Sequence, residues 1–187
     1  MTDRYDVITI GGSAGSLAVI TKILDALPPH INTPVVIVLH RLRNVRSEMS
    51  RLLSTKRTIS EPEDKEPVKE HCIYLAPQNY HLLVEAERTF MLDYSELVNY
   101  SRPSIDMTFS SIADVYGEKA LGILLSGANK DGAAGLCQIV AAGGMGIVQD
   151  PQTADFEVMP RSALDMCKGV KCLSVADMIR YIMGEIL

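Results

Sequence analysis

No apolar run in this 187-residue chain approaches the roughly 20 residues that a membrane-crossing helix needs, so direct insertion into a bilayer is not expected. Basic residues are not in excess. Lys and Arg number 18 against 23 Asp and Glu, a formal charge of -5, whereas a nucleic-acid binder normally carries a basic stripe. The cysteines (Cys72, Cys137, Cys167 and Cys172) lack the paired short spacing of a zinc site. They fit reduced structural thiols, and no metal is expected. The segment Met1 to Asp6 is charged and runs straight into a strand, which is not the pattern of a signal peptide, so a cytoplasmic location is expected. There is no internal repeat, low-complexity tract or linker, and residues 1–187 are expected to form a single domain.

What is present is an alternation of buried strands and amphipathic helices. Val7, Ile8 and Ile10 open a strand, Gly11 to Gly15 form a sharp turn, and a helix follows with Leu17, Ile20, Leu24 and Leu27 on one buried face until Pro28-Pro29 stops it. Val35-Val-Ile-Val-Leu39 is a continuous branched run, the signature of a parallel strand covered on both faces. Arg41 to Lys56 suggests a surface loop and a short helix carrying Met49, Leu52 and Leu53, and Glu61 to Pro67 a solvated connection. Short strands are expected at 72–76, 82–84 and 90–92, the last two paired as a hairpin. Ser104 is placed to cap a helix with Ile105, Phe109, Ile112 and Val115 facing inward. Further strands at 120–125 and 146–149, a helix through Leu136, Ile139 and Val140, and a closing helix from Ala176 complete the pattern. The expected fold is α/β: three αβα layers around a mostly parallel, doubly wound sheet with a small antiparallel hairpin.

Two small-residue loops follow buried strands, one holding Ser13 and the other Asp131, while His40 ends a third strand. Gly11-x-Ser13-x-Gly15 suits a nucleophile elbow; it equally suits a turn that only packs tightly or cradles a phosphate. Serine needs a neutral imidazole to take its proton, and the imidazole needs a carboxylate to set its tautomer. His40 could also be an ordinary loop residue, and Asp131 could simply cap the helix that starts beside it. His30, His71 and His81 compete as the base, and Asp106 and Asp150 as the acid. Spacing alone leaves the triad open. A dinucleotide site is disfavoured, because Ser13 occupies the second glycine of G-x-G-x-x-G and the second strand ends in His40 rather than Asp or Glu. No Gly-Lys-Ser/Thr follows the glycines, which excludes a Walker loop.

Five stretches together carry a more specific likeness: Ile10-Gly-Gly-Ser-Ala-Gly15, Val36-Ile-Val-Leu-His40, Ile73-Tyr-Leu-Ala-Pro-Gln-Asn-Tyr-His-Leu-Leu83, Ser101-Arg-Pro-Ser-Ile-Asp106 and Leu125-Ser-Gly-Ala-Asn-Lys-Asp-Gly-Ala-Ala-Gly135, with Gln149 to Ala154 and Met159-Pro160 after them. In order and spacing the chain resembles the catalytic domain of the CheB family, the chemotaxis protein-glutamate methylesterases. The resemblance implies Ser13 as nucleophile, His40 as general base, Asp131 as orienting acid, and backbone N–H groups near Ala14 and Ala128 for the oxyanion. It implies no cofactor. It also implies hydrolysis of glutamate γ-methyl esters, or deamidation of glutamine, on the cytoplasmic helices of methyl-accepting chemotaxis receptors. A catalytically inactive binding module of the same fold is the alternative. Departures from the family pattern are Leu39 in place of Gln, Arg41-Leu42 in place of Met-Pro, Ala14 for Thr, Ser16 for Gly, and Ser126-Gly-Ala-Asn129 for Thr-Gly-Met-Gly. Ser13 lies too near the start for a preceding receiver domain, so regulation is expected to come, if at all, from a separate response regulator.

Overall fold

The computed structural model describes residues 4–41, 48–53 and 57–186. In chain order the elements are β1 (Val7–Gly12), α1 (Leu17–Ala26), β2 (Val35–Leu39), α2 (Met49–Leu53), β3 (Ile59–Ser60), β4 (Ile73–Leu75), β5 (His81–Val84), β6 (Phe90–Asp93), α3 (Ile105–Tyr116), β7 (Ala120–Leu124), α4 (Ala133–Ala141), β8 (Met145–Gln149), α5 (Val158–Met166), β9 (Lys171–Leu173) and α6 (Val175–Ile186). The apolar runs at β1, β2 and β7 become the centre of a seven-stranded sheet, in the order β3-β4-β2-β1-β7-β8-β9, with every pairing parallel. β5 and β6 form the separate antiparallel hairpin. Of the loop and helix expected between Arg41 and Lys56, residues 42–47, residues 54–56 and the Leu52 side chain lie outside the described part.

Strand pleating sorts the core into two layers. Ile8, Ile10, Val35, Ile37, Leu39, Leu121, Ile123 and Ile147 face the side covered by α1, α6 and Leu53 of α2. Their neighbours Val7, Val36, Val38, Ala120, Leu124 and Val148 face α3, α4, α5 and the hairpin. Each such side chain removed from water contributes about 1.5–3 kcal/mol before entropy is counted. The alternation also aims the site: after Val36 and Val38, the next residue with that parity is His40, so its ring is directed to the α3–α4 side.

Three expectations are revised. In α1 the buried face is Ile20, Ile23 and Leu24, with Leu27 at its end, while Leu17 is 37% exposed because the first turn stands at the rim of the sheet. In α3 the fourth inward residue is Tyr116 rather than the half-buried Val115. The polar 61–67 stretch is not merely solvated: Arg41, whose side chain is 2% exposed, donates to Glu61 at 2.7 Å and to the Ala76 carbonyl at 2.9 Å. That clamp ties the residue after His40 to the β3–β4 edge. Among the described residues, no helix is long and apolar enough to cross a membrane.

Candidate active site

Strand order reverses at β1, whose neighbours are β2 on one side and β7 on the other. The crevice at the carboxyl ends of such strands is where open α/β sheets place ligands. Register sets the first contact. Gly12 is paired with Leu39, and the His40 N–H donates to the Gly12 carbonyl at 3.3 Å, so Ser13 and His40 are the next residues on adjacent strands. On the other side the Ser13 N–H donates to the Ser126 carbonyl at 2.9 Å.

The elbow is a turn closed by the Ser16 N–H on the Ser13 carbonyl at 3.1 Å, and the buried Ser16 hydroxyl donates to the same carbonyl at 2.7 Å. The departure from glycine at 16 therefore adds a brace. Gly15 has φ +79°, and a Cβ there would lie 2.6 Å from Asp155 Cβ, so glycine is required on both counts. At Gly11 a Cβ would lie 2.4 Å from Ile105 Cγ2, the close approach that seats the start of α3 against β1. Ser126 locks the outer side. Its hydroxyl donates to the Ala14 carbonyl at 2.7 Å and accepts from the Phe156 N–H at 3.0 Å, while its own N–H donates to Gln149 Oε1 at 3.1 Å. Ser13 is half-buried, and its hydroxyl makes no hydrogen bond among the described residues.

Asp131 is fully buried and is the most heavily bonded side chain near the crevice. Oδ2 accepts from His40 Nε2 at 2.7 Å and from the Ile105 N–H at 2.7 Å. Oδ1 accepts from the Ser104 hydroxyl at 2.8 Å, the Asp106 N–H at 3.1 Å and Asn99 Nδ2 at 3.1 Å. Burial pushes this carboxyl up, but the bonds from His40, Ile105, Asn99 and Asp106 outweigh it and hold Asp131 below the usual carboxylate range. An ionised carboxylate only accepts, so the proton in this bond is carried by His40 Nε2. The ring is thus wired through Nε2 to its acid, the reverse of the chymotrypsin-type arrangement.

Asp131 does not cap the helix beside it. Gly132 is the N-cap of α4, and the Asp131 carboxylate instead covers the first N–H groups of α3. Asp106, in the first turn of α3, returns the contact by accepting from the Gly135 N–H of α4 at 2.8 Å. Asn99 Nδ2 spans the two acids, reaching Asp106 Oδ2 at 2.8 Å. Burial first, and then the charge of Asp131, raise the Asp106 carboxyl above its ordinary value. Two helix starts, each with unpaired donors and a positive dipole end, therefore converge on two carboxylates.

The other candidates are placed elsewhere. His30 and His71 precede β2 and β4, at the opposite edge of the sheet. His81 is fully buried, accepts from the Ser104 N–H at Nδ1 (3.1 Å) and bonds the Glu96 carbonyl through Nε2 (2.9 Å), so both nitrogens are occupied. Asp150 caps a short turn through the Gln152 N–H. Arg102 donates to the carbonyls of Tyr94 and Ser95 at 3.2 and 2.6 Å. Ala14 and Ala128 are exposed, flank the elbow, and donate no backbone hydrogen bond among the described residues. Among those residues no three His, Cys, Asp or Glu side chains converge as a metal site would need. Asn99, the second bond of Ser104, and Ser126 escape a reading of the sequence; only the N-cap role of Ser104 has a local signal.

Comparison with known proteins gives the family. Residues 8–182 match the CheB methylesterase family. A Leptospira interrogans protein with the provisional name protein-glutamate methylesterase/protein-glutamine glutaminase is 45% identical over 164 residues, 87% of this chain and 85% of that protein. The protein-glutamate methylesterase/protein-glutamine glutaminase of Symbiobacterium thermophilum is 32% identical over 184 residues, covering 96% of this chain but 51% of the relative. The crystal structure of the Thermotoga maritima CheB methylesterase catalytic domain superposes with a TM-score of 0.88 at 28% identity, over 96% of this chain and 98% of that one. A three-layer parallel sheet, a serine elbow at its switch point and a matching family profile lead to one assignment: the chain belongs to the CheB methylesterase family.

Proposed function

We propose that the chain is a serine esterase that hydrolyses glutamate γ-methyl esters on the cytoplasmic helices of chemotaxis receptors, with Ser13, His40 and Asp131 as its triad. The observation that carries this reading is the 2.7 Å bond from His40 Nε2 to a buried Asp131 beside the strand that ends in Ser13. His40 Nδ1 takes the Ser13 proton as Oγ attacks the ester carbon. The oxyanion accepts from the Ala14 and Ala128 N–H groups, which have no other partner among the described residues. The C–O bond to the methoxy group then breaks, and the proton held by His40 leaves with it as methanol. Water, deprotonated by the same nitrogen, cleaves the acyl-enzyme and frees the glutamate carboxylate. No step of this sequence calls for a metal or an organic cofactor.

Deamidation of glutamine follows the same path with ammonia leaving, and the glutaminase half of the relatives' names supports it. Residues 1–187 act in this reading as one catalytic domain, supported by the seven-stranded sheet whose strands β1, β2 and β7 lead into Ser13, His40 and the Asp131 loop, and the reading places that domain in the cytoplasm. The test is methanol release from methylated receptor membranes. Ser13→Ala abolishes it while leaving the melting temperature unchanged; retention of full activity overturns the triad. Labelling of Ser13 by a fluorophosphonate separates an active esterase from an inactive binding module.

A further inference from the structure

Val98 and Ser101 form an antiparallel bridge closed by reciprocal hydrogen bonds at 3.2 and 2.9 Å, with Asn99 and Tyr100 as the two residues of the turn. Their φ angles are +49° and +63°, the backbone of a tight hairpin turn that strongly favours Asn-Gly. Asn99 suits its position and uses its amide to bind both Asp131 and Asp106. Tyr100 does not suit its position. A bulky side chain at positive φ costs about 1–2 kcal/mol relative to glycine, and the ring returns nothing: it is 94% exposed, with no hydrogen bond and no aromatic or cation contact among the described residues. Strain kept without an internal compensation points outward, to a contact made with something else.

The position indicates what that contact is. Tyr100 directly follows Asn99, which is bonded to Asp131, itself bonded to His40, so the turn that carries this exposed ring lies beside the crevice. The same loop carries a second exposed aromatic, Tyr94 (66%), tilted against Tyr80 at 5.6 Å and stacked on by the Arg102 guanidinium at 3.9 Å. With Arg102 also holding two carbonyls of the loop, the aromatic rim is braced before any partner arrives. Rigid tyrosines at an open surface give large contact area for little entropy. A small ester needs only the crevice; an ester borne on a folded protein brings its flanking backbone and side chains across the rim.

We propose that Tyr100 is a specificity-determining residue that grips the polypeptide flanking the esterified side chain; this rests on the esterase reading above. The test compares the full chain with Tyr100→Gly, a change that the positive φ favours and that leaves the melting temperature equal or higher. Methylated receptor membranes and N-acetylglutamate γ-methyl ester serve as substrates. The ratio of kcat/KM for the receptor to kcat/KM for the small ester falls at least tenfold in the variant, and cosedimentation with the same membranes weakens in step. An unchanged ratio with unchanged cosedimentation overturns the proposal. So does a parallel loss on both substrates, which would place the effect in Asn99 and Asp131. Failure of the esterase reading looks different: the wild-type chain releases no methanol from either substrate, and cosedimentation alone then decides whether Tyr100 meets a partner.

Discussion

The acid half of the crevice and the serine half are built on opposite terms. Asp131 is buried and held by five donors from α3, the loop before it and His40. Ser13 is half-buried with an unengaged hydroxyl, flanked by exposed Ala14 and Ala128 whose N–H groups are equally unengaged among the described residues. The acid half is completed by the protein itself; in the proposed mechanism the serine half is completed by the substrate. Stability and turnover should therefore separate along this line.

The sharpest way to break the comparison is to substitute each half. Ser13→Ala lowers kcat by about 10⁴-fold or more with no change in melting temperature. Asp131→Asn lowers kcat by a similar order, because the ring loses its tautomer control, but it also destabilises by about 3 kcal/mol, since an amide cannot accept from every donor now aimed at it. Calorimetry together with methanol release checks both; an unaltered melting temperature in Asp131→Asn would remove the distinction. Ser126→Ala tests the boundary, because its hydroxyl joins the elbow to the 149–156 loop. A cost of about 1–2 kcal/mol and a rise in KM are expected, measured by urea unfolding and substrate titration.

The smallest effect concerns the two acids. Asp131 is held below its unfolded-state value, so it stabilises above that value, near 4, and the contribution is lost as pH falls through the folded one. Asp106 is raised, so its ionisation costs stability at neutral pH, and the cost is relieved as pH falls through its folded value. Asp106→Asn keeps an oxygen for the Gly135 N–H but turns its amide donor towards Asn99 Nδ2, so the relief of charge burial is offset by that lost bond and the net change at pH 7 should stay within about 1 kcal/mol. Its unfolding curve should also fall more steeply on acidification than that of the wild type. A shallower acid dependence would reverse the assignment.

Legibility in the sequence followed burial. The inner strands at 35–39 and 120–124 announce themselves because every side chain in them is apolar and covered. The edge strands β3 and β9 do not. Ile59–Ser60 is two residues long, and Lys171–Leu173 has no buried side chain. Helix α5 hides for another reason: Pro160 sits in its first turn, where proline is tolerated, and only Met159, Pro160 and Ala163 are buried. Ser13, His40 and Asp131 are visible as small-residue loops and a histidine at strand ends. The donors around Asp131 are not, because Asn99, Ser104 and Ile105 reach it only when α3 docks, a contact no local pattern encodes.

That docking has a thermodynamic corollary. α3 and the loop that leads into α4 each supply a carboxylate that covers the other helix's first amides, Asp106 for Gly135 and Asp131 for Ile105 and Asp106. Neither helix start is saturated until both are in place, so the two should close as a single cooperative unit. Amide hydrogen exchange at Ile105 and Gly135 then reports the same opening free energy. In the proposed triad the orienting acid forms in that same event, so a partly folded chain would carry a serine without a working base, and hydrolytic power would be tied to the integrity of the fold.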